Sequence, residues 1–249
     1  MERLIYEGRF LVNTVGGIMR RDDLRVMYGR MNWEKIFREA DYHKIANIIY
    51  LACLGNGDQI PDRWRERLFD RYQKSLMFGD VYKDAQKEIL MMMEMMKLPC
   101  FVISSCAIRE LYPVPEMADC GLLKILVDEN SYALAKGYMI DLGYESDRLY
   151  KGYGEHMKNA AGFDMELYHK LPFRTKLYDK NIKLMLETAP FFDNYQYVRA
   201  LSIENQFVYR LAKAAYAYVM DELLLRDVLD LFGFHRHGQE KMNMESVER

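Results

Sequence analysis

Apolar positions recur at helical spacing over two long stretches of the chain, and at strand spacing over the stretch between them. Glu2 to Val12 reads as a helix that Gly16-Gly17 interrupts, since paired glycines are a natural break. A stronger helix follows Asn32, a good N-cap residue, and carries Trp33, Ile36, Phe37, Ala40, His43, Ile48 and Leu51 as far as Gly55-Asn56-Gly57. Pro61 opens another, with Trp64, Leu68, Tyr72 and Leu76 repeating every four residues. Arg63, Arg65, Arg67 and Arg71 lie mostly off that stripe and are assigned to a solvated face. Gly79 predicts a kink, after which Val81, Tyr82, Ala85 and Ile89 lead into Met91-Met92-Met93-Glu94-Met95-Met96. These methionines are expected to pack the helix end against a sheet, because thioether metal sites need further soft ligands and only Cys100 is near.

From Leu98 to His169 the pattern changes to short apolar runs punctuated by Pro and Gly. Strands are predicted at Phe101, from Gly121 to Val127 and from Phe163 to His169, with extended chain around His156 to Asn159. A helix over Glu129 to Leu142 is closed by Gly143. Alternation puts Leu122, Lys124 and Leu126 on one face of the middle strand and Leu123, Ile125 and Val127 on the other. Asp164, Glu166 and Tyr168 likewise share a face opposite Phe163, Met165 and Leu167. Beyond Pro172 helical spacing returns: a short helix from Asn181 to Glu187, a second opened by Ser202, and a third over Glu222 to Phe232. The third pairs Arg226 with Asp230 at i,i+4 and is stopped by Gly233. The fold class expected is α+β: a mixed sheet flanked by N- and C-terminal helical segments. Three sections divide it, a helical one at 1–97, an α/β core at 98–173 and a C-terminal helical one at 174–249.

Half of the 249 residues are hydrophobic, enough for a sizeable core, and the formal net charge of −2 gives no global case for nucleic acid or an anionic membrane. The four cysteines, Cys53, Cys100, Cys106 and Cys120, form no C-x-x-C pair and read as reduced thiols. No signal-peptide pattern opens the chain, and no apolar run approaches the roughly 20 residues a bilayer span requires. A cytoplasmic protein of bacterial origin is the expectation. His43, His156 and His169 show no partner by spacing and are read as structural. Ser104 and Ser105 lack the G-x-S-x-G surroundings of a nucleophile elbow.

The ordered run of an apolar strand, Ser104-Ser105, a short helix, Tyr112-Pro113, a Gly121 turn, a strand ending Ile125-Leu126-Val127, a helix ending Leu142-Gly143-Tyr144 and a strand holding Glu166 resembles the uncharacterised bacterial nucleotidyltransferase-like family. The resemblance extends to Trp33, Tyr42 and His43 and to the segment from Leu225 through Asp230. It implies a nucleotidyltransferase fold with carboxylates that clamp magnesium ions around the transferred group. Where the family reads Asp-Ile-Asp, this chain reads Leu122-Leu123-Lys124; where it often has Lys-Gly, this chain has Ser104-Ser105; and Lys213 and Ala217 stand where it places histidines. Only Glu166 matches a family acid.

The resemblance with these departures predicts a degenerate site at Ser104, Ser105, Leu122, Lys124 and Glu166, with no catalytic residue, metal or cofactor. A protein or small-molecule partner would then be bound by a non-catalytic or regulatory module. The alternative is an active nucleotidyltransferase using magnesium and a nucleoside triphosphate at a rebuilt site. Asp164 and Glu166 are its metal ligands; Asp119 and Asp128, before and after the strand, lack the required geometry. If the two strands are neighbours, Lys124 should pair with Glu166, with Asp164 as the second candidate, in place of an ion.

Overall fold

A computed structural model describes residues 2–22, 31–54, 59–104, 106–119, 121–150, 152–171, 184–237 and 242. Ser105, the Gly55-Asn56-Gly57 stop and the start of the helix read from Asn181 lie outside them. Two compact units interleave along the chain. One gathers Met1–Gly79, Ala107–Asp119 and Ala217–His237; the other centres on Asp80–Cys106 and Cys120–Tyr216.

The first unit is helical. Helix α1 (Glu2–Arg20) runs straight through Gly16-Gly17, contrary to the break predicted there. Leu11, Val15 and Met19, four apart, are all buried, and this packing outweighs the roughly 1 kcal/mol each glycine costs inside a helix. The helix read from Asn32 to Leu51 is two, α2 (Trp33–Tyr42) and α3 (Ala46–Cys53). Asn32 caps α2 by accepting from the Lys35 amide at 3.1 Å. The break falls at Lys44, whose φ is +56°. Ile45 N–H returns to Ala40 and Lys44 N–H to Asp41, the paired bonds of a helix stop that glycine usually occupies.

Helix α4 (Asp62–Met95) begins after Pro61 and continues unbroken past Gly79. A Cβ at Gly79 would sit 2.6 Å from the Arg109 guanidinium, so close approach explains the glycine better than a kink does. Arg71 does not simply face solvent, because its guanidinium grips both oxygens of Asp41, and Arg67 lies 4.3 Å over the Phe37 ring.

Helix α7 (Leu225–His237) starts later than read and passes through Gly233, where an added Cβ would press on the Leu111 carbonyl at 3.2 Å. Its Arg226 and Asp230 are joined through Tyr112: the hydroxyl accepts from Arg226 at 3.4 Å and donates to Asp230. Arg226 also donates to the carbonyls of Lys44 and Met117 and to the Asn47 side chain. His43 accepts from the Leu225 amide at 3.2 Å, a structural role.

The second unit is built on a six-stranded mixed sheet in the order β3-β4-β5-β2-β1-β6. The strands are β1 (Cys100–Ser104), β2 (Leu123–Val127), β3 (Tyr144–Tyr150), β4 (Gly154–Asn159), β5 (Asp164–Tyr168) and β6 (Val198–Ala200). β2 runs parallel to β5 and β1 parallel to β6; the other pairs are antiparallel. Helix α5 (Tyr132–Asp141) ends before Gly143, at φ +83°. Glu155, buried on β4, holds α5 by accepting from Lys136 at 2.7 Å and Tyr132 at 3.1 Å.

On one face of the sheet Leu123, Ile125, Met165 and Leu167 are buried, as is the α4 stripe of Tyr82, Ile89 and Met93. On the other face Ile103, Leu126 and Tyr168 form a cluster with Met185, Leu201 and Tyr209. Tyr209 belongs to α6 (Ile203–Val219), which Ser202 caps through the Asn205 amide. The architecture is thus the mixed α+β arrangement the pattern predicts.

Candidate functional site

Parallel pairing of β2 with β5 sets Leu123 beside Met165 and Lys124 beside Glu166. Across a bulge in β1, Ser104 falls opposite Lys124, while His156 of β4 falls opposite Glu166. One row across the sheet therefore reads Ser104, Lys124, Glu166, His156. Ser104 turns its carbonyl to the Tyr82 hydroxyl at 3.1 Å. Leu122 precedes the strand and is half-buried. Of the positions singled out in the sequence, Ser104, Lys124 and Glu166 thus come together.

The Lys124 ammonium bonds directly to Oε2 of Glu166; the lysine side chain keeps 24 % of its surface exposed, the glutamate 8 %. Two hydroxyls complete the carboxylate's shell: Tyr168 donates to Oε2 at 2.8 Å and Tyr150 to Oε1 at 3.2 Å. Their rings stack nearly parallel, with centroids 6.1 Å apart. Burial by itself would raise the Glu166 pKa, yet Lys124 and the two hydroxyls together hold it below the usual carboxylate value. Burial and the same carboxylate push the Tyr150 hydroxyl up to about 12, and that of Tyr168 higher still. Both tyrosines are therefore neutral donors at physiological pH.

Asp164 shares the Glu166 face but turns to His156, whose Nε2 lies 3.8 Å from its Oδ2. Its other oxygen is buried with no hydrogen-bond partner among the described residues. Nδ1 of His156 approaches Asp147 of β3 to 3.1 Å, within ion-pair reach but not aligned as a hydrogen bond. Asp128 is committed elsewhere, accepting from the Asn130 and Ser131 amides and the Ser131 hydroxyl. Asp119 lies in the other unit.

Residues 29–249 match the model of a family described as an uncharacterised nucleotidyltransferase. The chain belongs to that family. No curated protein and no solved structure matches it. The magnesium ions that the family resemblance implies need several hard oxygens free to coordinate. In this nucleotidyltransferase-family chain, both oxygens of Glu166 are engaged by Lys124, Tyr168 and Tyr150. Among the described residues no group of three or more His, Cys, Asp or Glu side chains is arranged to hold a metal. The donor set does not fit such an ion.

The tyrosine partners of Glu166 escaped the sequence reading. Tyr168 had a signal, since it shares the Glu166 face two residues on, but Tyr150 reaches the site only through pairing of two further strands. No helix among the described residues is long and apolar enough to cross a membrane. Cys53 and Cys100 are free thiols, which burial pushes up to about 12.

Proposed function

We propose that this member of the nucleotidyltransferase family has lost metal-dependent nucleotidyl transfer and acts as a binding or regulatory module. One observation carries the reading: the Lys124 ammonium is bonded to Glu166, at a position where the family resemblance implies an acid. A cation there repels divalent metal and neutralises the acid retained from the family pattern. In-line displacement needs the attacking and leaving oxygens both stabilised, commonly by two ions, and the residues of this row offer no such clamp.

The experiment is incubation of the purified protein with labelled ATP, GTP, CTP or UTP in magnesium or manganese. No labelled RNA or protein is expected above a Glu166→Ala control, and product above that control would overturn the proposal. A second reading, an active enzyme with ligands rebuilt from Asp164 and Glu166, draws on the buried oxygen of Asp164 that has no hydrogen-bond partner among the described residues. Nucleotide-dependent thermal stabilisation that requires magnesium, and that Asp164→Asn removes, would favour it.

A further inference from the structure

The methionine run plays no part in the strand site, and only part of it packs inward. Met93 is buried, whereas Val81, Met91 and Met95 of α4, and Met96 just beyond its end, keep between 43 % and 74 % of their surface exposed. With Asp84, Glu88 and Leu142 they line an open, mainly apolar groove of about 710 Å³. Positions 81, 84, 88, 91 and 95 advance by three and four residues alternately, the spacing of a seam parallel to the helix axis. Fourteen residues at 1.5 Å each give a length of roughly 21 Å, about four helical turns.

We propose that this groove docks an amphipathic helix of another protein, with apolar anchors along its face and a lysine or arginine opposite Glu88. The elongated shape suits a helix laid along α4, and unbranched thioethers adapt to the side chains that enter. The charged lining is Asp84, Glu88 and a single lysine, Lys87, so a basic partner is complementary. A second copy of this chain is not: Glu88 is the midpoint of the seam, and pairing α4 with itself along that seam in either direction would bring two Glu88 carboxylates together. The proposal concerns a surface apart from Lys124 and Glu166 and stands whether or not the strand site is catalytic.

The probe is a fluorescent synthetic helix with leucines on one face and flanking lysines, read by anisotropy beside a matched peptide with glutamates for lysines. The lysine peptide should bind and the glutamate peptide should not. Met95→Glu, at an exposed position, should weaken binding at least about tenfold, and Glu88→Lys should reverse the preference between the peptides. Circular dichroism confirms that both variants keep the helical fold. Absence of binding, equal binding of both peptides, or an unchanged preference in Glu88→Lys overturns the proposal. So does a sedimenting dimer that Met95→Glu dissociates, which would make a second copy the occupant.

Discussion

Arg226 in the helical unit and Lys124 in the sheet are both cations drawn inward, and their surroundings differ in kind. Arg226 is 4 % exposed, and its planar donors end on carbonyls, an amide oxygen and a phenol, with Asp230 reached through Tyr112. Among the described residues Lys124 has a single carboxylate partner; it retains contact with solvent, and that carboxylate is shared with two tyrosines. The first arrangement ties α7 to segments more than a hundred residues earlier in the chain, at Lys44 and Asn47 and at Tyr112 and Met117. The second joins two neighbouring strands. Removing the first cation strands oxygens on several elements, whereas removing the second strands one acid.

The largest effect should come from Arg226→Met. Breaking a buried charged network by deleting one partner costs about 3–5 kcal/mol, and urea denaturation should show a loss of that order. A loss no greater than that of Lys124→Met would break the contrast.

Lys124→Met should cost about 1–3 kcal/mol, the penalty for leaving a buried acceptor short of its donor. Combined with Glu166→Gln it should cost less than it does alone, since the amide needs no counter-charge. Additive losses in the same urea series would mean that the two side chains do not interact.

Acid titration gives a smaller effect whose sign follows from the depressed Glu166 pKa. A carboxyl held lower in the fold than in the unfolded chain stabilises fully above its ordinary value and loses that contribution as pH falls through the folded value. The stability gap between the native chain and Glu166→Gln should therefore narrow as pH is lowered from about 5 toward 3. In a Lys124→Met background that narrowing should be weaker. A gap constant across this range, followed by thermal melting, would show that Glu166 is not held ionised.

Tyr150→Phe should be the mildest change, about 0.5–1.5 kcal/mol for one hydrogen bond. It should also raise the Glu166 pKa, which 13C NMR of the carboxyl carbon would detect. An unmoved pKa would leave Tyr168 and Lys124 as the partners that matter.

Strand parity was legible in the sequence because alternation is a local property. It placed Lys124 with Leu122 and Leu126, and Glu166 with Asp164 and Tyr168; that Lys124 would stand level with Glu166 needed the strands to be neighbours. The Asn32 cap was legible for the same local reason. What local pattern could not convey were outcomes decided by distant neighbours. Gly16-Gly17 stays helical because Leu11, Val15 and Met19 are buried, and Gly233 sits inside α7 because Leu111 crowds it. The stop after α2 was hidden because Lys44 adopts a left-handed conformation that glycine would have announced. Tyr150 reached the site through β3 and β4, whose pairing no spacing revealed. Asp164, read as a possible partner of Lys124, turned to His156.

The outermost strands of the sheet bear on solubility. A long, flat, unpaired edge recruits further strands and seeds aggregation. At one edge β3 carries Glu145, Asp147 and Arg148, with five of its seven residues exposed, and its pairing slips between Ser146 and Arg148. At the other edge β6 is three residues long and bridged on its Arg199 by Phe191. Charge and irregularity protect one margin, brevity and a bridging residue the other, so neither invites addition of a foreign strand.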